Sequence, residues 1–242
     1  MALPLALILF GAFAAQTVVG FGSAIITLTL ASFVYPVTAL VPLLVLLGTL
    51  QSAYIAARHS RHVEWRLLLT RILPLMGVGL AIGFLGFDSA PEVALKRALG
   101  AIVVVLSALE LCRVFSGIGE DGPRNPLAAT AALLGAGVMH GLLAIGGPLL
   151  VYAVSRIPMT PAAFRSTLAY VWLALNAVLI GAYITTGRLD AALGMEVALA
   201  VPVVIAAVVI GERIHHRIDA QRFRQGVFGL LLVAGAALLL SG

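Results

Sequence analysis

Charged side chains are scarce in this sequence. Of its 242 residues, 15 are Lys or Arg and 10 are Asp or Glu, whereas 62% of the chain is hydrophobic. A soluble globular chain is roughly a quarter charged and about half apolar. The apolar residues would fill about eight membrane spans of about 20 residues each. The composition therefore excludes a soluble domain and indicates an all-α polytopic membrane protein.

Cysteine is almost absent as well. Cys112 is the one cysteine in the sequence, which excludes an intrachain disulfide and any metal site built from several thiolates. The basic residues lie in short links between apolar runs, whereas a nucleic-acid surface needs them clustered on a water-soluble element. No nucleophile, base and orienting acid converge. We therefore expect no enzymatic activity, no cofactor, no metal and no nucleic-acid partner.

The sequence repeats itself, first at an offset of 124 residues and later at 128. Three pairs of glycines match: Gly11 with Gly135, Gly22 with Gly146, and Gly83 with Gly211. Such self-similarity indicates a duplication. The predicted halves are residues 1–117 and 125–242, joined by a charged linker at 118–124.

Three ordinary membrane-spanning helices are predicted in each half from the length of the apolar runs. They cover 38–57, 66–87 and 92–115 in the first half, and 163–186, 191–210 and 221–241 in the second. Thr160 and Pro161 precede one of them as an N-cap followed by a first-turn proline.

The leading segment of each half has an unusual length. Residues 2–34 and 127–155 are each about 30 residues long, which is too long for one span and too short for two. Glycine interrupts both near the middle, at 20–23 and at 145–148. By length alone, each segment is either a kinked single span or a re-entrant hairpin.

The basic residues discriminate between these alternatives. If both segments are hairpins, twelve of the 15 basic residues lie on one side of the membrane. If both segments cross the membrane, seven basic residues lie on one side and eight on the other. Because positive charge is retained in the cytoplasm, the count favours a hairpin in the second half. Residues 1–37 carry no charge, so the repeat alone extends the hairpin to the first half. The twelve on one side are Arg58, Arg61, Arg66, Arg71, Arg113, Arg124, Arg156, Arg165, Arg213, Arg217, Arg222 and Arg224. The three on the other side of the membrane are Lys96, Arg97 and Arg188.

The resulting fold consists of two inverted repeats, each a re-entrant broken-helix hairpin plus three transmembrane helices. Inverted repeats with broken helices at the midplane are the architecture of secondary transporters. A half-helix that begins inside the membrane offers unpaired N–H groups and a partial positive charge to an anion. The predicted anion-binding residues at the breaks are Gly20, Gly22 and Ser23, and Gly146, Gly147 and Pro148. The alternative is that these glycines serve tight helix packing.

Other polar residues are candidates for substrate contact. His140 precedes the second break and Gln16 occupies the matched place before the first; an imidazole at this depth also suits proton coupling. The remaining candidates are Gln51, Arg165, Thr167, Tyr170 and Asn176. The alternatives are a histidine that only bonds between helices and an Arg165 that only anchors the chain at the interface.

Three motifs together resemble the sulfite exporter TauE/SafE family. They are VVGFGSAIIT, LLAIGGPLLVY and PMTPAAFRSTLAY, and the resemblance covers essentially the whole chain. Many members have three consecutive glycines at the breaks, where this sequence has GFGS and GGP, so a substrate assignment transfers poorly.

The resemblance implies a multi-pass carrier of the bacterial inner membrane that moves sulfite or an organosulfonate such as sulfoacetate. We expect a secondary transporter that works by alternating access, with a passive anion channel as the alternative. The direction of transport, coupling to protons or sodium, and a homodimer are left open by the sequence.

Overall fold

The computed structural model describes residues 2–19, 22–59, 62–115, 126–154, 157–214 and 220–241. Within these ranges the chain is helical and contains no strand. The predicted all-α fold is therefore confirmed. The helices are α1 (Leu3–Val19), α2 (Ser23–Ala31), α3 (Val37–His59), α4 (Trp65–Leu67), α5 (Leu73–Ser89), α6 (Glu92–Phe115), α7 (Pro126–Leu143), α8 (Gly147–Val154), α9 (Pro161–Thr185), α10 (Ala191–Ile214) and α11 (Ala220–Ser241).

The six predicted spans correspond to helices whose ends lie within four residues of the expected ones. A π-helical turn over Leu68–Ile72 joins α4 to α5, so that Trp65–Ser89 is one continuous helix. The expected N-cap of α9 is present, since the Thr160 hydroxyl accepts a hydrogen bond from the Ala163 N–H at 3.1 Å.

Five helices of the described chain are long and apolar enough to cross a membrane. They are Val37–Ala57, Trp65–Ser89, Pro126–Leu143, Ala162–Thr185 and Ala191–Arg213. The apolar parts of α1 and α11 are shorter, at Leu3–Thr17 and Gln225–Leu240. The expected span at 92–115 is a helix, although it is not among these five.

Two compact units make up the structure, and each combines segments from both sequence halves. Unit I contains α1, α2, α6, α11 and α10 from Met195 onward; unit II contains α4, α5, α7, α8, α9 and α3 from Pro42 onward. The sequence halves are thus not separate bodies. The repeat boundaries themselves remain a prediction, since a division by contacts does not test them.

Unit I is held together by close helix contacts at small residues. In it α11 packs on α6, where Gly100 lies against Leu239 and Gly235 lies against Val103. The short helix α2 packs on α1, α6 and α11. Gly211 of α10 lies against Thr17 of α1, with 2.8 Å between its ideal Cβ position and the Thr17 Cβ. These glycines therefore allow the helices to approach closely.

Unit II has a still closer contact between α5 and α7. Gly79 and Gly83 of α5 face the α7 backbone, and Gly137 and Gly141 of α7 face the α5 backbone. A methyl group at any of the four would overlap a backbone carbonyl of the other helix. Small residues spaced by four allow this kind of backbone approach in membranes. The short helix α8 also packs against α7.

Candidate functional site

The first helix break lies in unit I, between α1 and α2. Gly22 has a φ of 112°, a backbone conformation that only glycine adopts readily, and its carbonyl accepts the first helical bond from Ile26 N–H at 3.0 Å. A Cβ at Gly22 would meet only the Ile25 side chain, at 3.8 Å. Glycine is thus required here by conformation and not by space. Gly20, another predicted residue of this break, lies outside the described residues.

The N-terminus of α2 is capped by a side chain from α1. The Ser23 N–H donates to the Gln16 Oε1 atom at 2.9 Å, and the Ser23 side chain is buried. A helix start leaves such N–H groups without partners inside the helix. The structure thus brings together two of the predicted site residues, Gln16 and Ser23, and the carboxamide oxygen occupies a place that an anion oxygen would also suit.

The second break lies in unit II, between α7 and α8. Ala144 has a φ of 57° and donates its N–H to the His140 carbonyl at 2.8 Å. Gly147 and Pro148 then form the start of α8, and proline has no N–H that would need a partner. The first helical bond of α8 runs from Leu150 N–H to the Gly146 carbonyl at 3.1 Å. The break thus begins a short helix of eight residues.

Gly146 is a packing glycine. An ideal Cβ there would lie 2.7 Å from the Ala136 carbonyl oxygen and 3.1 Å from the His140 Cβ. The missing side chain therefore allows the break to sit directly on α7. This accounts for Gly146 without a ligand, and it places the break against His140.

His140 is buried and bonds to α9. Its Nε2 atom lies 2.9 Å from the Asn176 Oδ1, while the Asn176 Nδ2 donates to the Val45 carbonyl at 3.4 Å. Because the amide nitrogen faces a carbonyl, the amide oxygen faces the imidazole, and His140 Nε2–H is the donor. The ring stacks on Trp172, with 5.1 Å between centroids. The buried Nδ1 atom has no hydrogen-bond partner within the described chain.

Thr167 and Tyr170 have structural partners. The Thr167 hydroxyl accepts a hydrogen bond from the Glu64 N–H at 3.0 Å, and the Tyr170 ring meets Trp65 edge-on at 4.9 Å. Both contacts tie the start of α4 to α9. Two other predicted residues differ in burial: Gln51 is 5% exposed in α3, whereas Arg165 is half-buried near the start of α9.

Sequence reasoning did not include Trp172 or the Val45 carbonyl among the site residues. Trp172 lies one helical turn before Asn176, so both reach the same neighbour on α7. The spacing of four residues between Trp172 and Asn176 could therefore have indicated Trp172 from the sequence. The Val45 carbonyl was not predictable, because residue type says nothing about a backbone acceptor.

Apolar helices of membrane-spanning length and two helix breaks define a multi-pass membrane protein. The chain matches the family described as "Sulfite exporter TauE/SafE" over residues 5–238, and it belongs to that family. It is a bacterial membrane protein of an exporter family, which is not a family of enzymes.

One curated relative is the "Probable sulfite/organosulfonate exporter TauE" of Cupriavidus necator. The two sequences are 29% identical over 239 residues, covering 93% of this chain and 88% of the relative. No solved structure matches the chain.

Proposed function

We propose that this protein is a secondary transporter that moves a small anion, sulfite or an organosulfonate such as sulfoacetate, across the bacterial inner membrane by alternating access. The observation that carries the proposal is the pair of helix breaks. Each begins a short helix, of nine residues in α2 and eight in α8, inside an otherwise apolar segment. Membrane interiors tolerate such breaks where protein or a water-filled cavity satisfies the backbone.

The contacts of two matched glycines support an inverted duplication. Gly83 lies against Val138 of α7, and Gly211 lies against Ala14 of α1. Val138 and Ala14 are themselves a matched pair at the offset of 124 residues. Equivalent helices therefore make equivalent contacts, each with the hairpin of the other sequence half. This is the pattern expected of two repeats that exchange elements.

Backbone amides at the breaks supply the anion site in this proposal. Gly147 and Leu149 offer N–H groups in the first turn of α8, and the helix dipole adds a partial positive charge there. On α2, the anion would exchange with the Gln16 carboxamide for the Ser23 N–H. Oxygen-rich anions suit both places, because each oxygen accepts several hydrogen bonds. Arg165, half-buried at its helix start, would attract the anion from the cytoplasmic side.

His140 is the proposed proton-coupling residue. Its Nε2–H is engaged by Asn176, which leaves Nδ1 as a buried acceptor beside the second break. A proton taken up at Nδ1 would place a positive charge next to the amides of α8. Proton binding and anion binding would then favour each other, as symport of a proton with the anion requires.

Flux of radiolabelled sulfite and sulfoacetate into proteoliposomes tests the proposal. We expect saturable uptake that follows an imposed proton or counter-anion gradient, whereas a passive channel would give flux without saturation or coupling. In His140→Gln, which can still donate to Asn176, flux should lose its dependence on the pH gradient. Absence of flux for both anions under every gradient would overturn the proposed function, and an unchanged pH response would remove His140 from the coupling step.

A further inference from the structure

An aromatic and charged cluster lies where α5 ends and the chain leaves α9. Arg188, just after α9, forms an ion pair with Asp88 at the end of α5, with 2.6 Å between Nη2 and Oδ1. The guanidinium also lies over the Phe87 ring, 4.9 Å from its centroid. Arg188 is one of the three basic residues that the charge count places opposite the cytoplasm.

Tyr183 completes this cluster from the last turns of α9. Its side chain is fully buried and packs against Phe84, with 5.9 Å between ring centroids. The Arg188 N–H donates to the Tyr183 carbonyl at 2.9 Å, so the two residues are fixed next to each other by the backbone. All five residues belong to unit II.

Two hydrogen-bonding groups of this cluster are buried without a partner. The Tyr183 hydroxyl and the Arg188 Nε atom have no hydrogen-bond partner among the described residues, although both are inaccessible. Buried polar groups are normally paired, and an unpaired one costs about 1–3 kcal/mol. The hydroxyl can donate and Nε–H can only donate. A ligand that satisfies both must therefore present acceptors.

We propose that Tyr183 and Arg188 form a second oxyanion site, at the non-cytoplasmic outlet, which receives the transported sulfite or organosulfonate. A sulfur oxyanion carries several acceptor oxygens, and each proposed donor residue lies beside an aromatic ring, Tyr183 beside Phe84 and Arg188 beside Phe87. A cation is disfavoured by the guanidinium. The site rests on the proposed transport function, but none of its residues belongs to the helix breaks.

Asp88 competes with the anion for Arg188 in this arrangement. Its side chain is 43% exposed, so it can leave the guanidinium when an anion arrives and return when the anion departs. Asp190, the other carboxylate of this link, is held by the Leu193 N–H at 2.7 Å. Competition by Asp88 would keep the affinity of the outlet site for the anion low, and a low affinity favours release of the anion.

Side-specific exchange of sulfite tests the outlet site. Right-side-out and inside-out membrane vesicles are loaded with radiolabelled sulfite, and the outside sulfite concentration that gives half-maximal exchange is measured for each orientation. In Tyr183→Phe, this concentration should rise about tenfold on the Arg188 side only, the effect of one lost hydrogen bond to a charged ligand. In Asp88→Asn, it should fall about threefold on the same side, because the competitor is gone. Tyr35→Phe, which lies outside the cluster, is the matched control.

The outcomes separate this site from the transport function. No exchange in the unaltered protein would overturn both. Exchange in which Tyr183→Phe changes neither side, or both sides equally, would overturn the outlet site alone, and so would weaker binding in Asp88→Asn. The thermal unfolding temperature of Tyr183→Phe should not fall, since a buried hydroxyl without a partner is removed. If Tyr183→Phe nevertheless fails to fold, Asp88→Asn decides whether the outlet site exists: a fall in the sulfite concentration for half-maximal exchange supports it, and a rise overturns it.

Discussion

Gln16 holds an amide that a bound anion would need. Its side chain reaches across the first break to the Ser23 N–H, whereas His140, at the matched position of the second break, bonds to Asn176 of another helix. An amide at membrane depth is costly to leave unpaired. The Gln16 cap would therefore stabilise the first break while no substrate is bound, and the proposed anion would meet a different hydrogen bond at each break.

Two substitutions of Gln16 test whether its side chain only caps α2 or occupies the place of a bound anion. In Gln16→Glu, a carboxylate would bind the Ser23 N–H as a tethered anion, so we expect sulfite binding and flux to be lost at neutral pH while the protein still folds. In Gln16→Ala, the cap is lost and the free energy of unfolding should fall by about 1 kcal/mol, but sulfite should still bind. Calorimetric titration of purified protein with sulfite measures both. Equal sulfite affinity in Gln16→Glu and the unaltered protein would contradict an anion site at α2.

At the scale of the helices, the contact between α5 and α7 should determine the stability of unit II. Gly83→Leu would drive a side chain into the Val138 carbonyl, and such overpacking costs about 1–3 kcal/mol. Gly77→Leu is the matched control, because no atom lies within 4 Å of a Cβ at this position of the same helix. We expect a lower thermal unfolding temperature in detergent for Gly83→Leu alone. Equal unfolding temperatures for the two variants would show that the contact is not tight.

Helix positions were predictable from the sequence, whereas helix partners were not. The length of each apolar run locates the helix, and the glycines at 20 and 22 and at 146 and 147 indicate where α1 and α7 end. Four glycines spaced by four, at 79 and 83 and at 137 and 141, were equally visible. Such spacing occurs in many membrane helices, however, and it does not specify which helix lies opposite.

The site residues stay a prediction, and the hydrogen bonds and contacts that the structure gives them were not predictable from the sequence. Thr167 is a predicted candidate for substrate contact, and its hydroxyl accepts a hydrogen bond from the Glu64 N–H; a contact between residues 103 positions apart leaves no periodic signal in the sequence. Gly146 is a predicted anion-binding residue, and the sequence did not indicate that its missing side chain faces Ala136. Both results depend on how closely helices approach, which follows from packing and not from local pattern.

At the scale of the whole molecule, positions that align in the predicted repeat can have similar contacts or different residue types. Gly83 and Gly211 each allow a close approach to another helix, whereas Ala144 adopts a left-handed conformation at a position that aligns in the sequence, at the offset of 124 residues, with Gly20. A non-glycine residue costs about 1–2 kcal/mol in that conformation. The second break therefore carries backbone strain at Ala144.

Cysteine labelling decides whether the second leading segment returns to the side it entered from. In a Cys112→Ser background, single cysteines at Glu64, Pro158 and Asp190 report the links before α4, before α9 and before α10; all three positions are exposed. The hairpin topology predicts that Glu64→Cys and Pro158→Cys react with an impermeant maleimide only after the inner membrane is permeabilised, whereas Asp190→Cys reacts without permeabilisation. A crossing segment would exchange the sides of Pro158 and Asp190, because every later link would be inverted. Labelling of Pro158→Cys from outside would therefore refute the inverted repeats, since the second half would no longer cross the membrane an odd number of times.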